Sequence, residues 1–192
     1  MRARDNPFRT DRVLEVRYRP LRGSWDDLLA KLHALRYRAA VVGPQGSGKT
    51  TLLEDLAPRL RDRGYTVREL RLDTETPRFA PDFLDRYVAS LTPSDVVLFD
   101  GAEQLGSLGW SRFERGTRAA AGLVITAHRP GRLPSLIETS TSPELLQGLV
   151  EQILGERSTD LRPLLPALFE RHRGNLREAL RELYDRYADV EG

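Results

Sequence analysis

The chain has 192 residues, 40% hydrophobic and 30% charged, with a formal net charge of +2 and no cysteine. That suits one packed domain with a small appended subdomain, and it excludes a disulfide framework, a thiolate metal site and a cysteine nucleophile. No apolar run nears the roughly 20 residues of a membrane-spanning helix, and the charged start MRARDNPFRTDR lacks a signal core, so the expectation is a cytoplasmic protein with no membrane partner.

Residues 1–23 read as an irregular basic segment, with seven arginines from Arg2 to Arg22 against Asp5, Asp11 and Glu15. That excess suits either a solvated segment or an arm for nucleic acid. Ser24 and Asp27 then form a capping-box pattern before Trp25, Leu28, Leu29, Leu32 and Leu35 at helical spacing. AAVVG (39–43) reads as a buried parallel strand. Leu52, Leu53, Leu56 and Leu60 predict a helix stopped by Gly64 and kinked at Pro58.

TVRELRLD (66–73) predicts a second strand, and Pro81 opens a helix carrying Phe83, Leu84, Tyr87, Val88 and Leu91. DVVLFD (95–100), GLVITA (122–127) and SLIETS (135–140) predict three more strands, with a helix around Trp110–Ala120. This alternation predicts an α/β fold over 24–141, a five-stranded, mainly parallel sheet flanked by helices. After Ser142 the pattern is helical only. Helices are expected from Ser142, over Asp160–His172 and after Asn175, as a small three-helix lid over 142–192.

GPQGSGKT (43–50) matches G-x-x-x-x-G-K-[ST], directly after a strand and opening a helix. Gly43, Gly46 and Gly48 let the backbone turn its N–H groups toward phosphate oxygens. Lys49 reaches the β- and γ-phosphates, and Thr50 offers its hydroxyl to Mg²⁺. Pro44, Gln45, Ser47 and Thr51 complete the expected nucleotide contacts. Asp100 ends the buried strand VVLFD, where a carboxylate can hold Mg²⁺ opposite Thr50. Glu103, in DGAEQL, is either a general base for water or an exposed loop acid.

Phosphate loop, strand-end aspartate, polar end of the fourth strand and helical lid together resemble the AAA+ branch of P-loop NTPases, over about 24–190. TAHRP (126–130) is similar to the T-N-R-P stretch of that group, which implies a sensor-1 position for His128. GNLREAL (174–180) resembles the sensor-2 signature, which implies that Arg177 reaches the nucleotide. Two departures stand out. Gly101 replaces the usual second acid, so DGAEQL is closer to the D-G-x-D-E pattern of STAND-type ATPases. RPGRLP (129–134) is too short for the helix that carries the arginine finger, leaving Arg129 and Arg132 as substitutes.

The resemblance implies Mg²⁺-dependent ATP binding and hydrolysis, as an ATPase or an ATP-dependent switch; a protein partner is expected, and an oligomer stays open because the arginine-finger helix is missing. A small-molecule or nucleotide kinase stays open. So does a non-hydrolysing ATP-binding module that contacts DNA through the N-terminal arginines.

Overall fold

The computed structural model describes residues 7–8, 23–80 and 82–189. The arginines between Arg2 and Arg22, read as a solvated segment or an arm for nucleic acid, and Pro81, the expected helix opener, lie outside the described residues. Two compact units form. One contains 23–43 and 49–138, the other 44–48 and the chain from Thr139, with Phe8.

The first unit is built on the sheet. It opens with α1 (Trp25–Ala34), where Ser24 Oγ accepts the Asp27 N–H at 3.2 Å and the Asp27 carboxylate accepts the Ser24 N–H at 2.8 Å. Two otherwise unpaired donors of the first turn are satisfied at once. The strands are β1 (Arg38–Val42), β2 (Thr66–Arg71), β3 (Asp95–Asp100), β4 (Gly122–Ala127) and β5 (Ser135–Glu138). Between them run α2 (Lys49–Arg61), α3 (Phe83–Ala89) and α4 (Ser107–Gly116). The strand order is β2-β3-β4-β1-β5, and every pairing is parallel.

Every residue of β4 is buried, as are all of β3 but Asp100. This explains their continuous apolar runs, since a central parallel strand is covered on both faces. Because all strands run one way, their carboxyl ends gather Gly43, Asp100 and Ala127 on one edge. Gly43 N donates to Ala127 O across that edge at 3.1 Å. An edge of this kind is where parallel α/β sheets bind ligands.

Some elements differ from their sequence patterns. Helix α3 is only seven residues long and has no fully buried side chain; Phe83, Leu84, Tyr87 and Val88 pack against the core from its rim. Strand β5 ends at Glu138, two residues early.

The second unit is helical from 143 onward. Helix α5 (Pro143–Leu154) starts with Pro143 in its first turn, and Ser142 Oγ accepts the Leu145 N–H at 3.2 Å. The helix expected over Asp160–His172 forms only as α6 (Leu165–Arg171), behind two 3₁₀ segments. Pro163 and Pro166 lack N–H donors, which confines them to first turns and delays the α-helix. Helix α7 (Leu176–Asp189) is capped by Asn175, whose Oδ1 accepts the Glu178 N–H at 3.3 Å. Leu146, Val150, Leu165, Leu168, Leu180 and Leu183 form this unit's core, and Phe8 is buried with it, edge-on to Tyr187 at 5.3 Å. Among the described residues no helix is long and apolar enough to cross a membrane.

Candidate functional site

In the sheet unit the site centres on Asp100, at the end of β3. Thr50 Oγ1 donates to Asp100 Oδ2 at 2.8 Å, and Thr126 Oγ1 donates to Asp100 Oδ1 at 2.7 Å. The Thr126 oxygen in turn accepts the Gly101 N–H at 2.8 Å. Both carboxylate oxygens are therefore fixed by hydroxyls from two other elements. Since Thr50 donates its only proton to Asp100, its remaining lone pairs are the part of that hydroxyl available to a cation.

Thr50 and Asp100 offer oxygen donors, the type that Mg²⁺ prefers. Among the described residues no group of three or more His, Asp or Glu side chains could hold a metal. With two oxygen donors from the protein, Mg²⁺ would take its remaining ligands from water and phosphate. Lys49 is buried, and its Nζ donates to Gly43 O at 2.8 Å. Arg71 Nε lies 3.9 Å from Asp100 Oδ2. A cleft of about 150 Å³ opens here, lined by Thr50, Leu53, Glu54, Glu69, Leu70, Arg71, Leu98 and Asp100. Thr51, one place further along α2, is half-buried.

Gly101 explains the missing second acid. Its φ is +83°, and a Cβ there would sit 1.9 Å from the backbone oxygen of Leu72. Only glycine tolerates both the left-handed backbone and that contact. The chain then turns through a 3₁₀ segment, Ala102–Gln104, which carries Glu103. Glu103 Oε1 lies 3.3 Å from His128 Nε2, while Glu103 Oε2 is buried with no hydrogen-bond partner among the described residues. A buried, unpartnered carboxylate oxygen calls for a donor such as water.

Arg132 does not stand free as an arginine finger. Its guanidinium donates to Ala102 O at 2.7 Å and Leu105 O at 2.6 Å, and lies 4.9 Å over the Trp110 ring. Burial lowers its pKa, and the nearby charge of Glu103 opposes that shift. Arg129 is exposed and has no polar partner among the described residues.

In the helical unit lies the tip of the phosphate loop, 44–48. Gly46 and Gly48 have φ of +74° and +83°, and Pro44 and Gln45 are exposed. Ser47 Oγ, buried, donates to Pro44 O at 2.8 Å and lies 2.6 Å from Thr139 Oγ1. A Cβ on Gly46 would sit 2.1 Å from Asn175 Oδ1 and 3.0 Å from Leu176 N. The first turn of α7 therefore abuts the loop tip, and Arg177 is exposed on that turn.

The structure thus brings together Lys49 with Gly43, Thr50 with Asp100, Glu103 with His128, and Gly46 with the turn bearing Arg177. Sequence reasoning missed Thr126 and the anchoring of Arg132. The available signal for Thr126 was one hydroxyl near the end of an otherwise apolar strand.

No protein-family model matches the sequence, and no curated protein matches it. Solved structures of RuvB from Thermotoga maritima do share its fold. One, described as the Holliday junction branch migration motor, has a TM-score of 0.54 at 20% identity over 82% of this chain and 58% of that one. Two point mutants of the same protein give TM-scores of 0.53 and 0.55 at 20% and 18% identity, over 82% and 88% of this chain. The chain spans 58–65% of the length of these RuvB chains. With its all-parallel five-stranded sheet and its glycine-rich loop after β1, this chain shares the P-loop fold of these RuvB chains.

Proposed function

We propose that this protein binds ATP with Mg²⁺ and hydrolyses it, as an AAA+-like ATPase or ATP-dependent switch. The observation that carries the reading is the Thr50–Asp100 hydrogen bond at 2.8 Å, which joins the end of the phosphate loop to the strand-end carboxylate.

Lys49 would leave the Gly43 carbonyl for the β- and γ-phosphates, because a charged phosphate oxygen is the stronger acceptor. The amides of 44–48 would donate along the phosphates. Thr50 and Asp100 would hold Mg²⁺, which when bound polarises the phosphoryl oxygens as a Lewis acid. Thr126 keeps Asp100 in its rotamer. Glu103 would take a proton from the attacking water on Oε2, with His128 holding Oε1. By the resemblance of GNLREAL, Arg177 would pair with a phosphate oxygen at the loop tip. Catalysis would rest on positioning and electrostatics.

The seven arginines between Arg2 and Arg22, and the likeness to a Holliday junction branch migration motor, support a DNA partner; salt-sensitive binding to a branched DNA tests it. Glu103→Gln tests the hydrolytic reading itself. It is expected to keep ATP affinity while phosphate release falls by about 100-fold or more, the usual scale for a general base. Release at the parent rate would remove Glu103 from the chemistry.

A further inference from the structure

Arg132 lies in the β4–β5 connection, opposite the 3₁₀ turn that follows β3. Its two terminal nitrogens reach two carbonyls that bracket Glu103: Ala102 O at 2.7 Å and Leu105 O at 2.6 Å. Within the turn, Gln104 N donates to Gly101 O at 3.0 Å and Leu105 N to Ala102 O at 3.1 Å. The Trp110 ring lies under the guanidinium at 4.9 Å and limits its swing. From the same connection, His128 touches Glu103 itself at 3.3 Å. The turn that leaves the metal-side aspartate is therefore gripped from one neighbouring loop, at its backbone and at its carboxylate.

We propose that Arg132 is a positioning residue for Glu103, a fork that fixes the turn and so aims the carboxylate at the water to be activated. The inference rests on the ATPase reading above. Arginine suits the task because its planar, permanently charged fork serves two carbonyls at once, whereas a lysine is a point donor on a flexible stem. An arginine engaged in this way is not a cation for the γ-phosphate. That function falls to other residues.

The test compares phosphate release and ATP affinity for the parent chain, Arg132→Gln, Arg132→Lys, Glu103→Gln and the double variant Arg132→Gln/Glu103→Gln, with circular dichroism to verify folding. A misaimed base costs turnover and not affinity, so Arg132→Gln is expected to lose roughly 100-fold in kcat with ATP affinity unchanged. Arg132→Lys is expected to recover only part of the loss. In the Glu103→Gln background, Arg132→Gln is expected to change kcat no further, because the group it positions is gone.

Parent-like kcat in a folded Arg132→Gln overturns the inference, and so do losses that multiply in the double variant. If Arg132→Gln fails to fold, Arg132→Lys decides, and a parent-like kcat there has the same meaning. If the parent chain releases no phosphate, or Glu103→Gln is as fast as the parent, the ATPase reading fails and the role of Arg132 fails with it. A slow Glu103→Gln beside a fast Arg132→Gln isolates the failure to Arg132.

Discussion

Thr126 Oγ1 donates to Asp100 Oδ1 at 2.7 Å while it accepts the backbone N–H of Gly101 at 2.8 Å, and its side chain is almost fully buried. One hydroxyl thus fixes both the carboxylate proposed to hold Mg²⁺ and the start of the turn behind it. Thr126→Val keeps the shape and removes the hydroxyl. It leaves a buried N–H and a carboxylate oxygen short of a partner, at about 1–3 kcal/mol for a group of this kind. Denaturant melts should show that loss, and ATP turnover should fall by about 10–100-fold, as for other residues that orient a metal ligand. Thr126→Ser should stay near the parent in both.

The glycine after Asp100 cannot be exchanged for the more usual acid. At Gly101 an added Cβ meets the Leu72 carbonyl oxygen at 1.9 Å, on a backbone with φ +83°. Left-handed strain alone is worth about 1–3 kcal/mol, and the clash adds to it. Both Gly101→Ala and Gly101→Glu should therefore lower the melting temperature clearly. Gly101→Glu should not raise ATP turnover. A stable, faster Gly101→Glu protein would show that the turn can adopt another path.

Gly46 touches the cap of α7, with Asn175 Oδ1 2.1 Å from where its Cβ would be. Gly46→Ala should weaken ATP binding and destabilise the helical unit. Asn175→Ala alone removes the cap, for about 1 kcal/mol. Because the two residues share one contact, their costs should not add. The penalty for Gly46→Ala should shrink when Asn175 is already alanine. Thermal melts of the four proteins in this cycle measure the coupling.

Glu182 joins α7 to the end of α6. It lies 2.7 Å from His172 Nε2, accepts from Arg186 at 2.6 and 2.9 Å, and also pairs with Arg171. The His172 hydrogen bond leads the effects that hold its pKa below the ordinary 4.5, with Arg186 and Arg171 adding to it. A carboxyl with a lowered folded pKa stabilises the fold above its unfolded value and loses that contribution as pH falls through the folded one. Glu182→Gln should thus be less stable than the parent at neutral pH, and the gap should close as pH drops below 4.5. Denaturant melts across that range check it.

Much of this architecture was legible in the residues. The glycines and Lys49 of 43–50, the apolar runs ending at Asp100 and Ala127, and the caps at Ser24, Ser142 and Asn175 are local signals, and local signals mark elements. Strand order is not local. Nothing in GLVITA says that β4 lies beside β3, so the bond from Thr126 to Asp100 could not be read. Arg132 shows the same limit. As a sequence it is one arginine in a short loop, and only the fold places two carbonyls and an indole around it. The delayed start of α6 was available in Pro163 and Pro166, which the reading of one helix over Asp160–His172 placed near its N-terminal end rather than before it.

The central claim is that Lys49, Thr50 and Asp100 together hold a metal–nucleotide complex. Titration calorimetry of ATP into the protein, with and without Mg²⁺, for the parent and Lys49→Ala, tests it most directly. Saturable binding by the parent that tightens with Mg²⁺ is expected, with a large loss of affinity in Lys49→Ala while its fold is kept. Equal affinity in the two proteins, or ATP binding indifferent to Mg²⁺, would contradict it.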